Sequence, residues 1–112
     1  MGNLDTERDF IDVDDAVNAY IKMAQGNCWG EVFNICSGKP YSIHKIVEVI
    51  ASFSNLSVEI EQDPALIRFP DIKVSFGSCA KARKVFGFNP VADIEMTLLK
   101  TWRHYMEREA VV

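Results

Sequence analysis

Glycine, cysteine and histidine are scarce in this 112-residue chain, and each shortage closes off a class of function. The six glycines stand at positions 2, 26, 30, 38, 77 and 87, so no Gly-x-Gly-x-x-Gly or related phosphate-cradling loop occurs. The chain by itself is therefore not expected to hold a dinucleotide, whose pyrophosphate needs closely spaced glycines ahead of a helix. Three cysteines, Cys28, Cys36 and Cys79, form no Cys-x-x-Cys pair, and only His44 and His104 are there to join them. That pattern argues against a disulfide framework and against a zinc site. The thiols read instead as small core or surface residues of a reducing compartment, with Cys36 in the core.

Long apolar runs are missing too. Nothing approaches the ~20 residues of a membrane span, and no hydrophobic segment opens the chain as a signal peptide would. Lys and Arg number 12 against 16 Asp and Glu, a net charge of -4, whereas nucleic-acid binders carry a basic face. The expectation is a cytoplasmic protein with no membrane and no nucleic-acid partner.

What is present is ordinary globular composition, 48% hydrophobic and 25% charged, which excludes a disordered tail. Residues 1–112 fit one domain, since domains usually run about 100–150 residues. Phe10–Val13 is a short strand candidate, followed by acidic residues where a helix N-terminus favours negative charge. Val13, Ala16, Val17, Tyr20 and Ala24 then mark one helical face, closed by Gly26. Val32–Cys36 reads as a buried strand and Ser37-Gly38-Lys39-Pro40 as a turn.

Ser42 can cap a second helix with Ile43, Ile46, Val47, Ile50 and Phe53 on one side, ending at Asn55. Val58–Glu61 alternates as a half-buried strand should, and 63–71 is a loop. Val74–Phe76 adds a short extended piece. Ser78 can cap a brief helix stopped by Gly87, and Asp93 a last one with Ile94, Leu98, Trp102 and Tyr105 inward. Strands separated by helices imply an α/β or mixed α+β fold: a small, partly parallel sheet with about four helices.

Several local motifs have ordinary explanations. Met1–Thr6 fits the N-myristoylation pattern and Asn55-Leu56-Ser57 a glycosylation acceptor, but no basic anchor or secretory signal accompanies them. Tyr41 and Lys45 match the Tyr-x-x-x-Lys spacing of a dehydrogenase acid/base pair, yet that chemistry needs both on one helix, and Tyr41 precedes the Ser42 cap. Arg8 and Arg68 stand among turn residues rather than along a solvated helix face. Guanidinium groups so placed suit bidentate contact with phosphate oxygens, although surface ion pairing is the simpler reading from spacing alone.

Taken as a block, Arg8-Asp9-Phe10-Ile11-Asp12-Val13-Asp14-Asp15 resembles the Arg-Asp-Phe-x-x-Val-x-Asp signature of extended short-chain dehydrogenases. These are the NAD(P)-dependent nucleotide-sugar epimerases, dehydratases and reductases. Gly30–Gly38 resembles their Gly-Glu-Val-Tyr-Asn-x-x-Ser-Gly strand, and Tyr41-Ser42-Ile43 the helix start that follows. Asp63–Arg68 with Asp71 resembles the segment that reaches the nucleotide, and Lys81–Pro90 the closing Ser-Lys-Ala-x-x-x-Leu-Gly-Trp-x-Pro. Gly2-Asn3-Leu4-Asp5 and Asp63-Pro64-Ala65 resemble the branch of GDP-mannose 4,6-dehydratase and GDP-4-keto-6-deoxymannose reductase, and the Phe-x-x-Val form leans toward the reductase. Three positions depart from the pattern: Phe69 intervenes before Pro70, Ser78 replaces an Asp, and Phe88 replaces a Trp.

The resemblance implies a substrate-binding C-terminal portion without its Rossmann domain. It assigns Arg8 and Arg68 to a nucleotide sugar's diphosphate, GDP-linked by the branch, and Asp71 to the neighbourhood of the ribose. NADP or NAD would serve the complete enzyme, with none held by this chain. The glycine-rich loop and the catalytic Tyr, Lys and Ser or Thr of the family have no counterpart here. The implied expectation is a chain inactive alone, a piece of a longer enzyme or a truncated product, associating with a Rossmann domain or with a second copy. A docking or regulatory module, or a degenerate remnant without ligand, are the alternatives.

Overall fold

A computed structural model describes residues 2–68 and 71–111, with side chains as far as Arg108. The element order is β1 (Glu7–Asp9), α1 (Val13–Gln25), β2 (Pro40–Ser42), α2 (Ile43–Ser54), a 3-10 turn (Pro64–Leu66), β3 (Val74–Ser75), α3 (Ala80–Phe86) and α4 (Ile94–Val111). The sheet order is β2-β1-β3, with β1 antiparallel to β2 and parallel to β3. The expected mixed fold with four helices and a small, partly parallel sheet is what forms.

The strands differ most from the sequence reading. Phe10–Val13 is not a strand; the strand lies earlier, at Glu7–Asp9. Asp12 takes the N-cap of α1 and accepts from the Asp14 N–H at 2.9 Å, which turns Phe10–Asp12 into a connection. Val32–Cys36 points Phe33 and Ile35 inward and Val32 and Asn34 outward, as a strand would. It pairs with no neighbour among the described residues, because both flanks of β1 are taken by β2 and β3. A strand without a ladder partner is only an extended segment. Val58–Glu61 likewise stays outside the sheet.

The helices follow their punctuation closely. Ser42 caps α2 by accepting from the Lys45 N–H at 3.1 Å, and Asn55 closes it in the left-handed conformation at φ 55°. Gly87 ends α3 at φ 71°, where a side chain would be strained. Asp93 accepts from the Met96 N–H at 2.8 Å at the start of α4. At α3 the N-cap is Cys79 rather than Ser78, whose hydroxyl instead accepts from the Ala80 N–H.

Two faces were misjudged by periodicity. In α1 the residues turned inward are Asp15 and Ala19, while Val13, Val17 and Tyr20 are exposed. The apolar stripe is real, but among the described residues nothing covers it fully. In α4, Ile94 is buried and Leu98 and Trp102 half-buried, but Tyr105 is 58% exposed because the helix end runs past the rest of the chain.

The core is correspondingly thin. Ala19, Cys79, Ala82 and Phe88 form its buried centre, with Ile11, Phe33, Ile35, Cys36 and Phe86 packed against it. Phe33 and Phe86 meet edge to face at 5.0 Å, and the Lys81 ammonium sits 4.7 Å above the Phe33 ring. A second contact joins α2 to α4 through Phe53 and Trp102. The radius of gyration is 17.0 Å, against about 13 Å for a compact chain of this length. Extents of 49 × 41 × 21 Å describe a slab about two layers thick. No helix among the described residues is long and apolar enough to cross a membrane.

Phe88→Ala is expected to lower unfolding free energy by about 3 kcal/mol, since the ring is buried at the centre of that core. Val13→Ala, on the open face of α1, is expected to change it by less than about 0.5 kcal/mol. Urea unfolding followed by far-ultraviolet circular dichroism separates the two.

Candidate functional site

Arg8 sits in the middle of β1, the central strand, opposite Tyr41 of β2 and Ser75 of β3. Opposed residues share a sheet face, so these three lie on one side, and Glu7 and Asp9 on the other. One guanidinium nitrogen donates to the Glu7 carbonyl at 2.8 Å, and the other reaches Asp71 Oδ1 at 3.4 Å. The Arg8 and Asp71 side chains are 34% and 26% exposed, so the pair is held but reachable from solvent. A guanidinium carries five N–H donors, and two such contacts leave most of its fork free for an anion.

The structure therefore brings two of the three sequence-derived site residues together. Arg68 lies exposed beyond the 3-10 turn, and among the described residues it makes no hydrogen bond or ion pair with Arg8 or Asp71. Phe69 and Pro70, the departure noted in this loop, lie outside the described residues. Of the other departures, Phe88 is 2% exposed and fills the core, and Ser78 only shapes the turn into α3. Tyr41 belongs to β2 and Lys45 to α2, so their spacing builds no acid/base pair. His44 pairs with Glu48 one turn on at 3.0 Å, both side chains more than half exposed, as a solvated helix face does.

Sequence reasoning missed what holds the site in place. Asp9, next to Arg8 but on the opposite face, accepts from the Ser37 N–H at 2.9 Å and hydroxyl at 2.6 Å, and from the Gly38 N–H at 2.8 Å and Gly77 N–H at 3.4 Å. Burial pushes its carboxyl up, but those four donors outweigh burial and hold it below the ordinary 3.8. Gly38, at φ 81°, supplies the left-handed backbone that turns its N–H onto the carboxylate.

Asp12 is buried beside the Lys100 ammonium at 2.8 Å and the Thr97 hydroxyl at 2.9 Å. Burial opposes ionisation there as well, yet Lys100, the Asp14 N–H and Thr97 hold the carboxyl below its usual value. Lys100, hydrogen-bonded to Asp12 and then Asp14, is pushed up to about 12. Asp15, 4% exposed, accepts from the Val91 and Ala92 N–H groups and anchors the segment ahead of α4. Acidic residues three apart are the only sequence signal for this set, and their distant partners are not written in it.

Two further clefts lie elsewhere: one of about 340 Å³ between α1 and Phe88–Val91, and one of about 560 Å³ between the start of α1 and α4. Neither is lined by Arg8, Arg68 or Asp71. No group of three or more His, Cys, Asp or Glu suited to a metal ion occurs among the described residues.

Solved structures share this fold. That of RMD from Pseudomonas aeruginosa complexed with NADPH superposes at a TM-score of 0.83 with 30% identity, covering 94% of this chain and 35% of that one. WbmF from Bordetella bronchiseptica, in complex with NADH, superposes at 0.82 with 33% identity, covering 99% and 32%. The fold is thus that of the NAD-dependent epimerase/dehydratase class. A GDP-6-deoxy-D-mannose reductase of Pseudomonas aeruginosa is 32% identical over 112 residues, 97% of this chain and 37% of the relative. The family model for GDP-mannose 4,6 dehydratase matches residues 1–101, and the chain belongs to that family. It spans about a third of the length of these relatives.

Stability is expected to fall with pH in a defined window. Asp9 and Asp12 have folded values below 3.8, so their contribution is complete above that pH and is lost as pH drops through the folded values. Lys100, raised to about 12 from 10.5, contributes below 10.5 and loses its share as pH rises through about 12. Asp9→Asn is expected to cost about 1–3 kcal/mol at neutral pH and to shrink the acid loss. Urea midpoints of both proteins between pH 2 and 7 check this.

Proposed function

We propose that this chain is the substrate-side portion of an NAD(P)-linked enzyme acting on a GDP-sugar, a reductase or dehydratase working at the sugar's C4. In this reading Arg8 and Arg68 grip the diphosphate and Asp71 stands near the ribose hydroxyls. The observation that carries it is the Arg8 guanidinium, fixed in the central strand, oriented by Asp71 at 3.4 Å and about one-third exposed. Each charge-assisted hydrogen bond to a phosphate oxygen contributes roughly 1.5–3 kcal/mol, so two arginines would dominate affinity for a nucleoside diphosphate.

The residues of this chain do not fit the dinucleotide. Gly77 is the glycine between β3 and α3, and its surroundings are closed: its N–H is given to Asp9, and a Cβ there would fall 2.8 Å from Cys36 Sγ. We assign the chain no cofactor contact and no step of hydride transfer, and expect it to be inactive by itself. The open apolar side of α1, with Val13, Val17 and Tyr20, together with the exposed Trp29 and Val32, suits packing against a dinucleotide-binding body. That body would belong to the same enzyme, in the cytoplasm. Residues 1–112 would then be one unit of it, and docking on a separate full-length relative is the second reading the same surface favours.

Titration with GDP followed by amide NMR tests the proposal. Shifts are expected around Arg8, Arg68 and Asp71, and Arg8→Ala is expected to weaken binding about tenfold or more. A dispersed spectrum that does not move at millimolar GDP would defeat the nucleotide assignment and leave the docking reading.

A further inference from the structure

The chain holds a pair of thiols that the proposed function does not use. Cys79 is 6% exposed at the start of α3, in the buried centre of the core, and Cys36 is half-buried and packed against that centre. They are 43 positions apart in sequence and meet because Asp9 collects the N–H groups of Ser37 and Gly38 on one side and of Gly77 on the other. The Cys36 sulfur lies against Gly77, two residues from Cys79, at a spot where a Cβ on that glycine would be 2.8 Å away. Both sulfurs belong to one core, with Cys36 packed against the buried centre that Cys79 helps to form, and the nearness of Cys79 adds to burial's upward push on the Cys36 thiol. An Arg83 guanidinium N–H points at the Cys79 sulfur at 3.7 Å. Cys28 is apart from the pair, its thiol directed to the Met23 carbonyl at 3.4 Å.

We propose that Cys36 and Cys79 are an oxidisable dithiol, a modification site at which a peroxide converts the two neighbouring thiols into a disulfide joining the 36–38 turn to the start of α3. The Cys36 sulfur, the more accessible of the two, attacks one oxygen of hydrogen peroxide as its thiolate. The O–O bond breaks, one water leaves, and Cys36 becomes a sulfenic acid. The Cys79 sulfur then attacks the Cys36 sulfur; the S–S bond forms, the S–O bond breaks, and a second water carries away the Cys79 proton. Two thiols lose two hydrogens in all, and the peroxide is reduced to two waters. Burial pushes the Cys36 thiol up, so the first step is slow near neutral pH and speeds up with alkalinity. The product closes a long loop across the segments that Asp9 already joins, and such a loop raises stability chiefly by restricting the unfolded chain.

Hydrogen peroxide is added to the full chain in buffer and, in parallel, in 8 M urea (about the strength that unfolds most small domains). Products are read by intact mass and by non-reducing peptide mapping. The expected result in buffer is a loss of two hydrogens, a single Cys36–Cys79 linked peptide and reversal by dithiothreitol, whereas in urea the linkages scatter over all three cysteine pairs and between chains. Cys28→Ser keeps the cross-link, and Cys36→Ser abolishes it. The unfolding midpoint of the oxidised protein rises by about 4 °C or more. Gly77→Ala provides a variant that leaves every thiol present: its new Cβ displaces the Cys36 sulfur, and cross-linking drops at least tenfold. Oxygen added at Cys36 without a cross-link, a bond to Cys28 in buffer, or the same mixture of linkages in buffer and urea would each overturn the proposal.

Discussion

The carboxylate of Asp9 is the joint on which the arrangement turns, because it gathers donors from Ser37, Gly38 and Gly77 into one ionised group. Strands of two or three residues have too few ladder bonds to define their own register. Here β1, β2 and β3 are that short, and the side chain of the middle strand does what a longer ladder would do. It fixes the turn that leads into β2 and the residue that follows β3. A carboxylate with several N–H and O–H partners is a stronger joint than a backbone pair, since charge-assisted bonds are shorter and roughly twice as strong.

The same device recurs along α1. Asp12 starts the helix and reaches across to Thr97 and Lys100 of α4, and Asp15 holds the Val91 and Ala92 amides one turn later. Three aspartates at intervals of three residues thus join β1 and α1 to the turn after residue 36, to the approach to α3, and to α4. Buried apolar area is modest, with no large side chain fully enclosed among the described residues. Polar joints of this kind set geometry well even where apolar burial is thin, which explains how a slab only 21 Å deep keeps a defined arrangement.

The candidate binding group inherits this geometry. Arg8 is covalently next to Asp9, so whatever fixes the Asp9 carboxylate on one face of β1 fixes the direction in which Arg8 leaves the other. Asp71 completes the orientation from the segment before β3. The surfaces left open, above all the apolar side of α1, agree with the finding that the chain spans about a third of the length of its relatives.

Much of this was legible from local chemistry. Gly26, Ser42, Asn55, Gly87 and Asp93 announce helix ends because capping is decided within a few residues. The blocks around Arg8, Gly30, Asp63 and Lys81 carry the family because each is a continuous run. Strand positions were not legible: Val32–Cys36 has the composition and inward-outward alternation of a strand, but pairing requires a partner that only the assembled sheet provides or withholds. Nor was the covered side of α1, since periodicity shows that a stripe is apolar without showing what lies against it. The sequence by itself determined the helices, most of their ends and the residue types of the site. Only the tertiary structure decided that Asp9 gathers three distant residues, that Arg8 meets Asp71, and that Cys36 rests against Gly77, because each of those contacts joins residues more than 25 positions apart.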